Sequence, residues 1–330
     1  MKKTVHEKQP MTSQKKGMLL IIAGLLLITM VIMLVVTQRS QEEPTEESQT
    51  SQRIITYNGE AYAYNNNLVN ILFLGIDHTD PVQTQEISGE AGQADSIIII
   101  SINKTDETAT LYQVNRNSMT EIDVYDTSGN KQSSYEGQIC LQFAYGDGEE
   151  TSCWATKKTV QELLYDLPID GYFAMNISSI STINDAVGGV TLTVPEDYTN
   201  LNAAFVKGTT LTLTGEQAES YVRSRDHAVT GSNQQRMQRQ IQYLTALMNQ
   251  VKASDQEALY ETIMPLVSPY MTTDLSADQL KQMMDYTYLM EDTGSVPGET
   301  TYNAETAYDE FHVDEQALYQ DLLQRFYEKQ

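Results

Sequence analysis

Cysteine and positive charge are both scarce in this 330-residue chain. Its two cysteines, Cys140 and Cys153, are too few for a disulfide framework or a structural zinc site. They either pair and close one loop or stand as separate buried thiols. Twenty-one Lys and Arg face 45 Asp and Glu, a formal net charge of -24. Beyond residue 39 the deficit deepens to 15 basic against 44 acidic residues, a net near -29. Such a surface repels nucleic acid, and no basic patch with interleaved aromatics offsets it, so no nucleic-acid partner is expected. The same field makes a metal cation a natural companion for any anionic ligand.

One long uncharged run does occur, Gly17 to Val36, and it is long enough to span a bilayer as a helix. Five lysines precede it, and the acidic stretch QEEPTEES follows Arg39. The positive-inside bias then predicts a cytoplasmic tail over 1–16, an anchor over 17–36 and everything later outside the cell membrane. A cleaved signal peptide fits less well, because the run exceeds a usual h-region and no small-x-small site follows. Residues 37–66 are polar without a sustained apolar period and read as an extracytoplasmic linker.

A folded domain is expected over 67–252. Leu68–Asp77 (LVNILFLGID) and Ser96–Asn103 (SIIIISIN) are continuous apolar runs, the mark of strands covered on both faces. Thr108–Val114 is a third β-rich run, and Thr191–Pro195 a shorter one. Helical patterns fall between them, over Lys157–Tyr165 and Ser178–Val187. A capping box at Thr214–Gln217 opens another helix, and Asn233–Lys252 carries a Met/Leu stripe that reads as core. Alternating strands and helices argue a layered α/β domain, and the architecture expected is a layered α-β-α domain with a central mixed sheet covered by helices. Residues 253–330 read as an acidic helical extension without motif chemistry. Its helical candidates are Ser276–Met290 and Asp314–Tyr327, and Gly294–Thr301 reads as a disordered tip.

Against the acidic background one segment concentrates arginine. Tyr221–Gln240 holds Arg223, Arg225, Arg236 and Arg239 within twenty residues. Guanidinium forks match phosphate oxygens bidentately and keep their charge, so the segment suits a dense anion such as a diphosphate. Surface salt bridges are the plainer alternative, each worth little. On the 233–252 helix Arg236, Arg239 and Gln240 stand three or four apart and share a face. Asp77 ends the first strand, Asp95 precedes the second, and Arg116 follows the third. Strand ends of a doubly covered sheet are where ligands bind. Two carboxylates plus substrate oxygens suit magnesium, although each carboxylate alone reads as a turn or loop residue.

Six segments in order carry a resemblance: NILFLGID, GQADSIIIISIN, TATLYQVNRNSMTEI, PIDGYFAMNISSISTINDAVGGVTLTVPEDY, KGTTLTLTGEQAESYVRSRD and GSNQQRMQRQ. Together, over about residues 68–250, they resemble the LytR-CpsA-Psr family of Gram-positive cell-wall enzymes. The resemblance implies a membrane-anchored phosphotransferase. Such an enzyme moves a phosphoglycan from a polyprenyl-diphosphate donor to peptidoglycan and releases polyprenyl phosphate. It implies Mg²⁺ near Asp77 and Asp95. It places Arg116, Arg223, Arg225, Arg236 and Gln240 at the family's phosphate-handling positions, with catalysis resting on Asp95, Arg116, Arg223 and Arg225. Arg239 joins the diphosphate set from the cluster itself. The resemblance also implies an apolar tunnel for the lipid, with Ile97–Ile100 and the 233–252 stripe as candidate walls. Three positions depart from the family pattern: Gln93 where arginine is common, and Asn117 and Asn233 where carboxylates are. A non-catalytic protein that binds lipid-linked diphosphates or wall polymer is the alternative these departures raise. A DNA-binding regulator is disfavoured by the topology and the acidic exterior.

Overall fold

The chain divides into residues 1–53 and a second unit, Ile54–Gln330. The computed structural model describes residues 54–126, 128–226 and 229–330, so the expected tail and anchor lie outside the described residues. Among the described residues no helix is long and apolar enough to cross a membrane.

A first hairpin pairs β1 (Ile54–Tyr57) with β2 (Glu60–Tyr64), and β3 (Leu68–Ile76), β4 (Ala94–Asn103) and β5 (Thr108–Val114) are the long strands expected from the apolar runs. A second hairpin, β6 (Met119–Tyr125) and β7 (Lys131–Gln138), leads into α1 (Leu141–Ala144) and α2 (Glu150–Leu163). Then come β8 (Gly171–Asn176), α3 (Ser179–Ala186), β9 (Thr191–Thr193), β10 (Thr210–Thr212), α4 (Gly215–Arg223) and α5 (Ser232–Lys252). The remainder holds α6 (Gln256–Val267), β11 (Met271–Thr273), α7 (Ala277–Met283), β12 (Thr287–Tyr288) and β13 (Gly294–Ser295). It closes with β14 (Gly298–Asn303), β15 (Tyr308–Val313), α8 (Glu315–Phe326) and β16 (Tyr327–Lys329).

The central sheet runs β11-β8-β3-β4-β5-β12, with β13 also on β5. It is mixed: β3 pairs β8 in parallel and β4 antiparallel. Because strand side chains alternate, the apolar runs split by parity. Leu72, Leu74, Ile97 and Ile99 join one core with Val160, Leu318 and Leu322, which lie on α2 and α8. Ile71, Ile98 and Ile100 join another with Ile241 of α5 and Met283 of α7. Helices on both faces explain why these strands carry no polar alternation. The predicted capping box of α4 forms, Gln217 N donating to Thr214 Oγ1 at 3.3 Å and Thr214 N to Gln217 Oε1 at 3.0 Å.

Two boundaries move. Residues 54–64 were expected in the linker but form the β1–β2 hairpin, onto which β16 pairs. Its turn is Asn58-Gly59, with φ of 52° and 80°, the left-handed pair that a two-residue hairpin needs. That dipeptide was the available signal. The segment after 252 is not simply helical either. Its β11, β12 and β13 complete the central sheet, and where a disordered tip was expected over Gly294–Thr301 the chain forms β13 and the start of β14, with Val296 and Pro297 between them. Strands of two or three residues carry no readable period, and their partners lie about a hundred residues or more away in the chain.

Candidate functional site

The site is built where β3, β4 and β5 end together. Gly75 opposes Ser96, yet Ile76 opposes Ala94, so Asp95 is the extra residue of a bulge in β4. A bulge re-aims its side chain, here toward two arginines. Gly75 permits the close approach, since a Cβ there would lie 3.0 Å from the Ser96 Cβ. The strand end is locked from the other side as well. Asp77 N donates to the Gln93 carbonyl at 3.0 Å, and Gln93 N donates to Asp77 Oδ1 at 2.5 Å.

Asp95 bridges Arg116 and Arg236. Arg116 Nε lies 2.8 Å from Asp95 Oδ1, and Arg236 Nη1 lies 2.7 Å from Asp95 Oδ2. Both guanidiniums are buried. Arg116 Nη2 donates to Cys140 Sγ at 2.9 Å and also to Gln93 Oε1, and its Nη1 reaches Asn117 Oδ1 at 3.5 Å. Arg236 Nη2 donates to Asn233 Oδ1 at 2.8 Å, and Asn233 Nδ2 donates to Asn115 Oδ1 at 2.9 Å. All three departing residues, Gln93, Asn117 and Asn233, therefore hold the two buried arginines through neutral carboxamides. Burial lowers the pKa of Arg236 to about 10, with repulsion from Arg116 and Arg225 adding to it and Asp95 opposing. It stays charged at neutral pH. Cys140 is a partner that sequence reasoning missed; it lies 24 residues from Arg116, at no spacing that signals contact.

The remaining arginines diverge. Arg225 is partly buried, and burial and Arg116 lower its pKa while Asp95 and Asp309 oppose that. Arg223 is exposed and pairs with Glu219 one turn earlier at 3.2 Å. Arg239 does not join the anion cluster, contrary to the expectation that it shares a binding face with Arg236. Its Nε donates to the Tyr221 carbonyl at 2.7 Å, its Nη2 to the Ser224 carbonyl, and its guanidinium lies 4.7 Å from the Tyr198 ring centre. The two side chains leave neighbouring positions of α5 in different directions, Arg239 to the carbonyls at the end of α4 and Arg236 to Asp95 of β4. Gln240 Nε2 donates to the Val222 carbonyl at 3.2 Å. Its buried Oε1, with Arg236 Nε and Ser96 Oγ, has no partner among the described residues. Orphaned buried polar atoms of this kind await a ligand or water.

An apolar cavity opens at this cluster. Asp77, Asp95, Arg223 and Gln240 border it, while Phe73, Ile98 and Ile100 of the sheet form one wall. Leu244, Leu247 and Met248 of α5 form another, with Ile263 and Met264 of α6. The expected isoleucine wall is half realised: Ile98 and Ile100 line the cavity, whereas Ile97 and Ile99 face the opposite core. The parity of a strand dictates that split.

Cys140 and Cys153 are separate buried free thiols. For a metal, the described residues hold no group of three or more ligating side chains. The donors still fit magnesium held by one or two carboxylates plus phosphate oxygens. Asp77 is exposed with one oxygen engaged by Gln93 N, whereas both Asp95 oxygens already face guanidinium.

A cluster of guanidiniums and carboxylates thus stands at the mouth of an apolar cavity. The LytR_cpsA_psr family model matches residues 29–323, and the chain belongs to this family. It is 26% identical over 251 residues to the biofilm regulatory protein A of Streptococcus mutans serotype c, covering 73% of this chain and 59% of the relative. It is 28% identical over 217 residues to a polyisoprenyl-teichoic acid–peptidoglycan teichoic acid transferase, TagU, of Enterococcus faecalis, covering 66% of this chain and 65% of the relative. The chain thus spans about three fifths of the length of these curated relatives. The crystal structure of Bacillus subtilis TagV superposes with a TM-score of 0.58 at 23% identity, covering 79% of this chain and 97% of that one, and so shares the fold.

Proposed function

We propose that this protein is a membrane-anchored phosphotransferase that moves a phosphoglycan from a polyprenyl-diphosphate-linked donor onto peptidoglycan. The carrying observation is the Asp95–Arg116–Arg236 cluster at the mouth of an apolar cavity. The cavity suits a polyprenyl tail, and the cluster suits the diphosphate at its head. The E. faecalis relative, named as a teichoic acid transferase, supports the polymer class. The apolar run 17–36, ahead of an acidic exterior, supports anchoring with the folded unit outside the cell.

In this reading an acceptor hydroxyl oxygen bonds to the glycan-side phosphorus as the bond to the lipid-side phosphate breaks. The electron pair leaves on that phosphate, and the hydroxyl proton passes to water. Arg116, Arg236 and Arg225 neutralise charge growing on the transferred and departing groups, the largest service a phosphoryl-transfer site gives. A bound Mg²⁺, held by Asp77 and Asp95, would supply further charge neutralisation and draw the phosphate oxygens into place. Asp95 is a poor general base here, because both its oxygens accept from guanidinium.

The test offers the full chain a polyprenyl-diphosphate glycan and a peptidoglycan acceptor, with Mg²⁺ or with a chelator. Release of polyprenyl phosphate that stops on chelation supports the reading. Donor binding without release favours a non-catalytic binder of lipid-linked diphosphates, a reading raised by the carboxamides at 93, 117 and 233.

A further inference from the structure

A second concavity borders the same cluster and, among the described residues, shares no lining residue with the apolar cavity. The apolar cavity reaches Asp77, Asp95, Arg223 and Gln240; this cleft reaches Gln93, Arg116 and Arg225. The Asp95–Arg116 ion pair is thus the partition between an oily chamber and a polar one. The far walls of the cleft come from two hairpins. One is β6–β7, contributing Tyr135 and Glu136, and the other is β14–β15, contributing Tyr302, Tyr308, Asp309 and Glu310.

The C-terminal hairpin is fixed to the site. Phe311 N donates to the Asn117 carbonyl at 2.9 Å, Gln138 Nε2 to the Asp309 carbonyl at 2.8 Å, and Gly231 N to Asp309 Oδ2 at 3.1 Å. These bonds tie it to the residue after Arg116, to the end of β7 and to the start of α5. Among the described residues, four of the eleven large apolar or aromatic side chains that stand exposed line this one cleft: Tyr135, Val229, Tyr302 and Tyr308. Tyr302 and Tyr308 are 56% and 65% exposed. Aromatic surface collected in one polar concavity marks a binding face rather than scattered exposure.

The geometry points to this cleft as a subsite for a neutral saccharide, the acceptor glycan, seated on the tyrosines of the C-terminal hairpin. The assignment rests on the phosphotransfer reading above. In an in-line displacement the nucleophile enters opposite the leaving group. With the lipid phosphate departing toward the apolar cavity, the acceptor hydroxyl arrives from the cleft on the other side of Arg116. Tyrosine rings offer rigid amphipathic platforms for the apolar face of a sugar ring. The carboxylates of Glu136, Asp309 and Glu310 accept hydrogen bonds from hydroxyl and amide groups. Those carboxylates also repel a polyanionic chain, so an uncharged glycan is favoured over a phosphate-bearing polymer.

The test measures binding of chitotetraose, a neutral N-acetylglucosamine oligomer, to the full chain in detergent micelles, with poly(glycerol phosphate) as the polyanion probe. Three proteins are compared: wild type, Tyr302→Ala/Tyr308→Ala and Tyr302→Phe/Tyr308→Phe. The expected result is saccharide binding at least tenfold weaker in the alanine variant and retained in the phenylalanine variant, at unchanged melting temperature. Equal binding in all three, no binding to wild type, or tighter binding of the polyanion would overturn the assignment. Release of polyprenyl phosphate by wild type is scored separately. Its absence would sink the phosphotransfer reading while the saccharide result still stands or falls by itself.

Discussion

The Asp95 carboxylate holds Arg236 at 2.7 Å across 141 residues of sequence, joining the first turns of α5 to the bulge of β4. Arg236 is 3% exposed, so its charge has almost no water to fall back on. Removing one partner of such a pair leaves the other buried and uncompensated. Asp95→Ala is therefore expected to destabilise the protein by about 3 kcal/mol, at the low end for buried pairs because Asp95 is partly exposed. Urea unfolding with an unchanged m-value checks this.

Arg116 meets a carboxylate, a carboxamide and a thiol at once through Nε and Nη2. Lysine is a point charge without that fork. Arg116→Ala is expected to lower turnover by about 10²–10³-fold, the cost of deleting one preorganised charge donor, and Arg116→Lys to recover only part. Single-turnover release of polyprenyl phosphate measures both.

Arg239 and Arg225 separate structure from binding. Arg239→Ala strands two carbonyls and is expected to cost about 1–3 kcal/mol of stability while donor affinity holds in the fraction that remains folded. Arg225→Ala is expected to leave the melting temperature within about a degree and to weaken diphosphate binding, since it borders open clefts rather than a carbonyl cage. Equal loss of donor affinity in both variants would contradict the placement of Arg239.

The apolar cavity predicts selectivity for lipid length. Leu247→Trp adds bulk to a wall that also packs the core beside Tyr243 and Val251. A long polyprenyl donor is expected to lose affinity at least tenfold, and a water-soluble diphosphate glycan to bind as before. Competition between the two donors reads the difference.

Burial pushes the Cys140 thiol up to about 11, against the opposing pull of Arg116, and Cys153 is raised as well. The folded thiol resists ionisation that the unfolded chain allows from about pH 9. Stability is therefore expected to fall as pH rises from 9 to 11, and alkylation at pH 8 to be slow until urea is added. Mass spectrometry after iodoacetamide should then count two free thiols; a disulfide would give none.

Much of the site was legible because its residues sit at strand ends. Asp77, Asp95 and Arg116 each follow or precede an apolar run whose length alone identifies a covered strand, and Arg236 lies on a helix with an unbroken apolar stripe. The fate of Arg239 was not legible: only three-dimensional packing shows that its nearest acceptors are the carbonyls of Tyr221 and Ser224. The same holds for Cys140, and for the hairpin β14–β15, which reaches the residue beside Arg116 from nearly two hundred positions away.

Local pattern by itself determined the strands covered on both faces, the capped helix α4, the long helix α5 and the concentration of arginine in an acidic chain. These are short-range properties, set by side-chain periodicity and charge count. Tertiary structure alone decided which arginines converge on Asp95, which isoleucines face the cavity and that residues after 252 close the sheet and wall the cleft. Those outcomes depend on strand register, on a one-residue bulge and on pairings of two or three residues. Their free energy comes from long-range burial and hydrogen bonding, which leaves no periodic trace along the chain.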